Sequence, residues 1–309
     1  MKGPLFYAKI LLFGEYGIIK DSKGLSIPYN FYKGALRLDN NNTEAAVSSN
    51  QKLQEFAQHL KSIDTDLVTF ELQRLEADLA KGMYFYSSIP QGYGVGSSGA
   101  LVAAIYDRYA LNKITVLENL TRTKLTKLKT IFAAMESFFH GKSSGLDPLN
   151  SFLSLPILIK STSDIEPTGI PSQSQHGKAA VFLLDSGMTS ETAPLVSVFL
   201  DNFEAPAFRK MMKDEFIATS DRCIEHFLSG DVKALFSDVK TLSSVVLHNF
   251  SAMIPKRFLG LWKKGLETNA FYLKLCGSGG GGYILGFTQD LTHAKTLLAD
   301  HQIEVVYTF

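Results

Sequence analysis

The chain has 309 residues, with 31 Lys and Arg against 30 Asp and Glu, and 45% of its residues are apolar. That balance supplies no global field for nucleic acid or an anionic membrane, so an anionic ligand must be held by a local cluster and the expected partner is a small molecule. Cys223 and Cys276 have neither the spacing of a metal cage nor the density of a disulfide framework, which predicts structural thiols in a reducing compartment.

At about 150 residues per domain the length predicts two domains, placed at 1–165 and 175–309. Lys9, Gly14 and Glu15 interrupt the apolar amino terminus, and no small-residue cleavage site follows, so it does not read as a signal peptide. No run approaches the ~18 apolar residues of a membrane span, and a cytoplasmic protein is expected. Residues 5–19 read as a strand pair around Gly14-Glu15-Tyr16-Gly17, and Asn40-Asn41-Asn42-Thr43 opens a polar loop. Leu53, Phe56, Leu60 and Ile63 recur with helical spacing over 51–63, followed by strands over 68–72 and 83–89. A nearly uncharged helix over 100–111 comes next. Leu117, Leu120, Leu125, Leu128, Ile131, Phe132, Met135 and Phe139 then mark a long helix that Gly141 stops. The Ser-, Pro- and Gly-rich stretch 161–178 reads as a linker, and 179–185 as a buried strand opening the second domain. Helices over 208–227 and 232–247, a strand pair over 271–287, a helix near 290–300 and a strand near 303–308 complete the chain.

The stretch Ile89-Pro90-Gln91-Gly92-Tyr93-Gly94-Val95-Gly96-Ser97-Ser98-Gly99-Ala100 carries the strongest chemical signal. Alternate glycines let backbone N–H groups turn toward an anion, and the positive end of the helix that follows adds its dipole at the same spot. The position after Gly96 is Ser97, so the lysine of a P-loop is missing. Gly94-x-Gly96-x-x-Gly99 also fits a dinucleotide fingerprint, with Glu118 near the distance at which a ribose-binding acid is expected. Glu118, however, opens a helical pattern and does not end a strand. The same six-residue spacing recurs at Gly277, Gly279 and Gly282, so the pattern discriminates little.

The glycine stretch resembles the second motif of the GHMP kinases, and three further motifs resemble that superfamily in order. Lys9-Ile10-Leu11-Leu12-Phe13-Gly14-Glu15-Tyr16 resembles the first. Glu136-Ser137-Phe138-Phe139-His140-Gly141-Lys142-Ser143-Ser144-Gly145-Leu146-Asp147 resembles the motif that carries the acidic residue, and Leu275-Cys276-Gly277-Ser278-Gly279-Gly280-Gly281-Gly282 resembles the third. Of the superfamily's branches the sequence looks most like the mevalonate kinases, with two departures: Tyr16 replaces a pocket histidine and Ser143 replaces a proline.

The resemblance implies an α+β GHMP kinase fold, with an amino-terminal domain like ribosomal protein S5 domain 2 and a ferredoxin-like carboxyl-terminal domain. It implies an ATP- and Mg²⁺-dependent kinase acting on the primary hydroxyl of mevalonate in isoprenoid precursor synthesis. Phosphomevalonate and homoserine kinases, and an inactive ligand sensor, are the alternatives. Dimerisation stays open. Asp147 would take or orient the hydroxyl proton while Lys9 neutralises transition-state charge. Gly92, Tyr93, Gly94, Val95, Gly96, Ser97 and Ser98, with Gly279 and Gly280, would hold the nucleotide. Ser98 and Glu136 would hold Mg²⁺ through hard oxygens, and Glu15, Tyr16 and Thr192 would meet the substrate. Read from spacing alone, Glu136 could be an exposed helix residue, Ser98 a helix cap and Asp147 a turn former beside Pro148.

Overall fold

The computed structural model describes residues 4–38, 43–116 and 120–309; Asn40, Asn41, Asn42, Leu117 and Glu118 fall outside these. Two compact units divide the chain: Met1–Lys9, Ile27–Gln91 and Gly96–Leu155 form the first, and Ile10–Ser26, Gly92–Val95 and Pro156–Phe309 the second. Strands β1 (Phe6–Phe13) and β2 (Gly24–Leu38) contribute residues to both.

In the first unit, β3 (Met83–Ser87) runs antiparallel to the Gly34–Leu38 end of β2, with Leu38 opposite Met83. Helix α1 (Glu44–Leu60) starts where the Thr43 side chain accepts from the Ala46 N–H, and its buried face of Leu53, Phe56 and Leu60 packs on β3. Residues 68–72 do not form the expected strand. Only Phe70 bridges to Ala110, and α2 (Leu72–Ala80) begins at once, burying Leu75 and Leu79 one turn apart. Periodicity alone does not distinguish so short an apolar run from the entry to a helix.

Helices α3 (Ser97–Tyr109), α4 (Arg122–His140) and α5 (Leu146–Leu153) form the core of this unit. Tyr106, Phe132 and Phe152, one from each helix, meet edge to face at centroid separations of 5.0 to 5.5 Å. Gly141 ends α4 as expected. Helix α5 was not anticipated, because Asp147-Pro148 also reads as a turn; here the proline falls in the first helical turn, where its missing N–H costs nothing.

The second unit holds an antiparallel sheet in the order β7-β8-β6-β9, formed by β6 (Ala180–Asp185), β7 (Tyr272–Leu275), β8 (Tyr283–Thr288) and β9 (Ile303–Thr308). Helices α6 (Thr192–Phe203), α7 (Pro206–Met211), α8 (Ala218–Ser229), α9 (Val232–Asn249) and α10 (Leu259–Thr268) lie between β6 and β7 in the chain, and α11 (Leu291–Leu297) lies between β8 and β9. This succession, β then helices, a β-hairpin, a helix and a last β, is the ferredoxin-like order. A π-helical turn over Met212–Ile217 joins α7 to α8, so the helix expected over 208–227 is one run with a bulge. Sequence reading gave no expectation for α6 or α10.

Residues 5–19 are not a strand pair: β1 ends at Phe13, a 3₁₀ turn follows over Gly17–Lys20, and β2 starts only at Gly24. The short strands β4 (Ile157–Ile159) and β5 (Ile165–Pro167) extend from the Gly24–Ser26 end of β2. The stretch 161–178 therefore contains a strand, and it is further tied down where Tyr307 Oη donates to the Pro171 carbonyl at 2.7 Å and Ser174 N–H to the Thr308 carbonyl at 3.0 Å. Phe13 stacks on Phe287 at 5.5 Å in the core, and both cysteines are buried outside any disulfide. No helix among the described residues is long and apolar enough to cross a membrane.

Candidate active site

In the first unit, the first half of β1, the beginnings of α3 and α5 and the last turns of α4 bring polar side chains together. Lys9, 5% exposed, places Nζ 2.9 Å from Asp147 Oδ1. This close approach depends on Gly99, because a Cβ there would lie 2.7 Å from the Asp147 carbonyl carbon and 2.8 Å from Pro148 N. Ser98 Oγ donates to Glu136 Oε1 at 2.9 Å, and Ser143 Oγ donates to Glu136 Oε2 at 2.5 Å. Ser98 Oγ also lies 3.1 Å from His140 Nε2. With the Ser98 proton directed to Glu136, that contact requires the tautomer protonated at Nε2. Among the expected residues Lys9, Ser98, Glu136 and Asp147 are thus neighbours. Ser143 was noted only as a departure from a motif, yet its hydroxyl gives Glu136 a donor that a proline lacks.

Glu136 is 4% exposed. Burial is the main force pushing its carboxyl up, to about 7, with the Asp147 charge adding to it and the Ser143 and Ser98 hydroxyls and Lys9 opposing. The model-peptide value is 4.5, so the fold prefers the neutral acid; this preference contributes fully below pH 4.5 and is lost as pH rises through 7. The difference amounts to something on the order of 3 kcal/mol. Without metal, wild-type stability should therefore fall relative to Glu136→Gln between pH 4.5 and 8, as measured by denaturant unfolding. A pH-independent gap between the two proteins would mean that the carboxyl titrates normally.

The glycine stretch has Gly92, Gly94 and Gly96 at φ +74°, +77° and +81°, and Gly96 precedes Ser97 and Ser98 in the first turn of α3. Tyr93 and Val95 alternate with these glycines. In the second unit, Gly94 lies backbone to backbone on the β7–β8 loop: a Cβ at Gly94 would be 2.8 Å from the Cys276 carbonyl oxygen. Gly282 N–H donates to the Met188 carbonyl at 2.5 Å, Ser190 N–H to Gly92 at 3.2 Å and Gly280 N–H to Met253 at 2.6 Å. Gly279, at φ +76°, has no room for a side chain, since its Cβ would lie 2.5 Å from the Met253 carbonyl oxygen.

Glu15, Tyr16 and Thr192 lie around the same loop. Glu15 Oε1 accepts from Lys274 Nζ at 2.5 Å, with both side chains 4% exposed. Tyr16 Oη donates to the Ser278 carbonyl at 2.7 Å, and Ser278 Oγ donates to Thr192 Oγ1 at 3.4 Å. Sequence reading missed Lys274 and Ser278. The available signal for Lys274 was a lone lysine in the apolar strand Tyr272-Leu273-Lys274-Leu275, directly before the loop.

Residues 58–154 match the family model for the GHMP kinases N-terminal domain. Among solved structures, the mevalonate kinase of L. major in complex with R-mevalonate is 16% identical, with a TM-score of 0.67, and the match covers 99% of this chain and 97% of that one. The phosphomevalonate kinase of Streptococcus pneumoniae with phosphomevalonate and AMPPNP is 13% identical over 99% of this chain and 98% of that one, with a TM-score of 0.62. The galactokinase of Lactococcus lactis complexed with galactose is 12% identical over 98% of this chain and 92% of that one, with a TM-score of 0.61. Comparison with curated protein sequences finds no match.

Proposed function

We propose, from a chain that carries a GHMP kinases N-terminal domain and has the GHMP kinase fold, that this protein is an ATP-dependent kinase that phosphorylates the primary hydroxyl of mevalonate. The observation that carries this reading is the buried Lys9 held 2.9 Å from Asp147, in the same unit as the Ser98–Glu136 pair. Phosphoryl transfer demands a hydroxyl held in line, a group to receive its proton and positive charge over the moving phosphoryl. Asp147 suits the second demand and Lys9 the third. As the acceptor oxygen bonds to γ-phosphorus and the bond to the ADP oxygen breaks, the hydroxyl proton passes to Asp147.

The residues fit both implied groups. Gly92, Gly94 and Gly96 hold positive φ ahead of α3, a backbone that glycine adopts without strain, and for the nucleotide we propose Gly92, Tyr93, Gly94, Val95, Gly96, Ser97 and Ser98 and, in the second unit, Gly279 and Gly280. Among the described residues no group of three or more His, Cys, Asp and Glu is gathered for a metal. Mg²⁺ takes one or two protein oxygens and completes its shell with water and phosphate. Ser98 and Glu136 would supply those oxygens; bound Mg²⁺ would neutralise phosphate charge and hold Glu136 ionised. For the acceptor we propose Thr192, whose hydroxyl stands at the first turn of α6.

Mevalonate is favoured by the four motifs and by the mevalonate kinase likeness. Coupled ADP-release assays with mevalonate, phosphomevalonate, homoserine and galactose test the choice. Mevalonate is expected to be the best acceptor, and a preference of roughly tenfold or more for another would overturn it, since a tenfold ratio of kcat/KM corresponds to 1.4 kcal/mol of differential transition-state binding.

A further inference from the structure

Tyr16 has a backbone conformation that a non-glycine side chain rarely adopts. Its φ is +59° and ψ is −39°, and the Gly17 N–H closes on the Glu15 carbonyl across it at 2.6 Å, a three-residue γ-turn. Such a residue costs roughly 1–3 kcal/mol and persists only where its surroundings hold it. The surroundings are aromatic: the Tyr16 ring lies 4.7 Å from Phe199 and 5.7 Å from Phe250 by centroid, and the residue is 4% exposed. At the far end of this slot the hydroxyl reaches the Ser278 carbonyl at 2.7 Å. One residue earlier, Glu15 holds Lys274 at the end of β7, immediately before the same loop. Two consecutive residues of the first motif therefore grip the 277–282 loop, one at its root and one at Ser278.

We propose that Tyr16 is a positioning residue for this loop, acting through the Ser278 carbonyl, and that it sets nucleotide affinity and does not contact the acceptor alcohol. The inference rests on the kinase reading, with Gly279 and Gly280 serving ATP. The hydroxyl has a single proton, and donating it to Ser278 leaves none for a substrate carboxylate, while the residue's 4% exposure leaves an acceptor alcohol little access to its remaining lone pair. A carbonyl fixed by that bond fixes the peptide plane between Ser278 and Gly279, and with it the direction of the Gly279 N–H. Glycines at this loop have no side chain to limit their φ and ψ, so an external tether has more to hold than in a loop of bulkier residues. The strained turn is the device that aims a tyrosine ring along the slot.

Tyr16→Phe removes the donated bond and keeps the ring, the turn and the packing. AMPPNP binding by calorimetry and steady-state kinetics with ATP and mevalonate separate the outcomes. The AMPPNP Kd and the KM for ATP should each rise roughly three- to tenfold, the worth of one hydrogen bond, while the KM for mevalonate stays within about twofold. An unchanged nucleotide affinity with a raised mevalonate KM would overturn the proposal and make Tyr16 a pocket residue. Unchanged values for both ligands would show that the bond positions nothing. Thermal unfolding within a few degrees of wild type would exclude general loosening as the cause of a raised Kd; a large drop that accompanies equal losses toward both ligands would overturn the positioning role. A wild-type protein that binds AMPPNP yet transfers phosphate to no alcohol would contradict the kinase reading while leaving the Tyr16 binding comparison intact.

Discussion

Asp147→Asn should lower turnover by roughly 10²- to 10⁴-fold, the range ascribed to a positioned general base. The amide keeps the shape and retains an oxygen that can accept from Lys9 Nζ, now 2.9 Å from the carboxylate. What it loses is the charge that takes the hydroxyl proton. AMPPNP affinity should hold within about threefold, because the expected nucleotide contacts come from the glycine stretch. Kinetics and calorimetry on the same preparation check both halves. Turnover close to wild type would remove Asp147 from the chemistry, and a parallel loss of nucleotide binding would make its role structural.

The second large effect is on stability. Lys274 and Glu15 form an ion pair with both side chains 4% exposed and Nζ 2.5 Å from Oε1. Such a pair gains little over apolar packing as a unit, but removing one member leaves a buried charge without its counterion. Lys274→Met should therefore cost about 3–5 kcal/mol in denaturant unfolding. Replacing both, with Lys274→Met and Glu15→Leu, should recover most of that loss, because no charge is then stranded. A single variant as stable as wild type would mean that solvent reaches Glu15. Ser220, whose hydroxyl is buried without a hydrogen-bond partner, lines the same small cavity as the pair.

Much of the arrangement could be read before the fold was known. The run from Gly92 into α3 and the end of α4 at Gly141 follow from glycine chemistry and helical periodicity, which act over a few residues. Helix α5 was hidden because Asp147-Pro148 satisfies a turn and a helix start equally well. The strand expected after Gly17 failed because the chain turns at Tyr16 and again at Asp21, and positive φ at a tyrosine has no composition signal. The partners of Glu15 and Tyr16 lie more than 250 positions away in sequence. Contacts at such separation are set by packing of the sheet and helices, and no local pattern encodes them. The same holds for Ser143, whose value depends on Glu136 being buried one helix end away.

Phosphorus-31 NMR on the protein with ATP, Mg²⁺ and mevalonate follows every phosphorus in the reaction. Phosphoryl transfer requires a new phosphomonoester signal to grow in step with ADP, with little free phosphate, and Asp147→Asn to suppress both together. ADP formed with free phosphate at the same rate with or without mevalonate, or no ADP at all with any of the four alcohols, would contradict the kinase assignment.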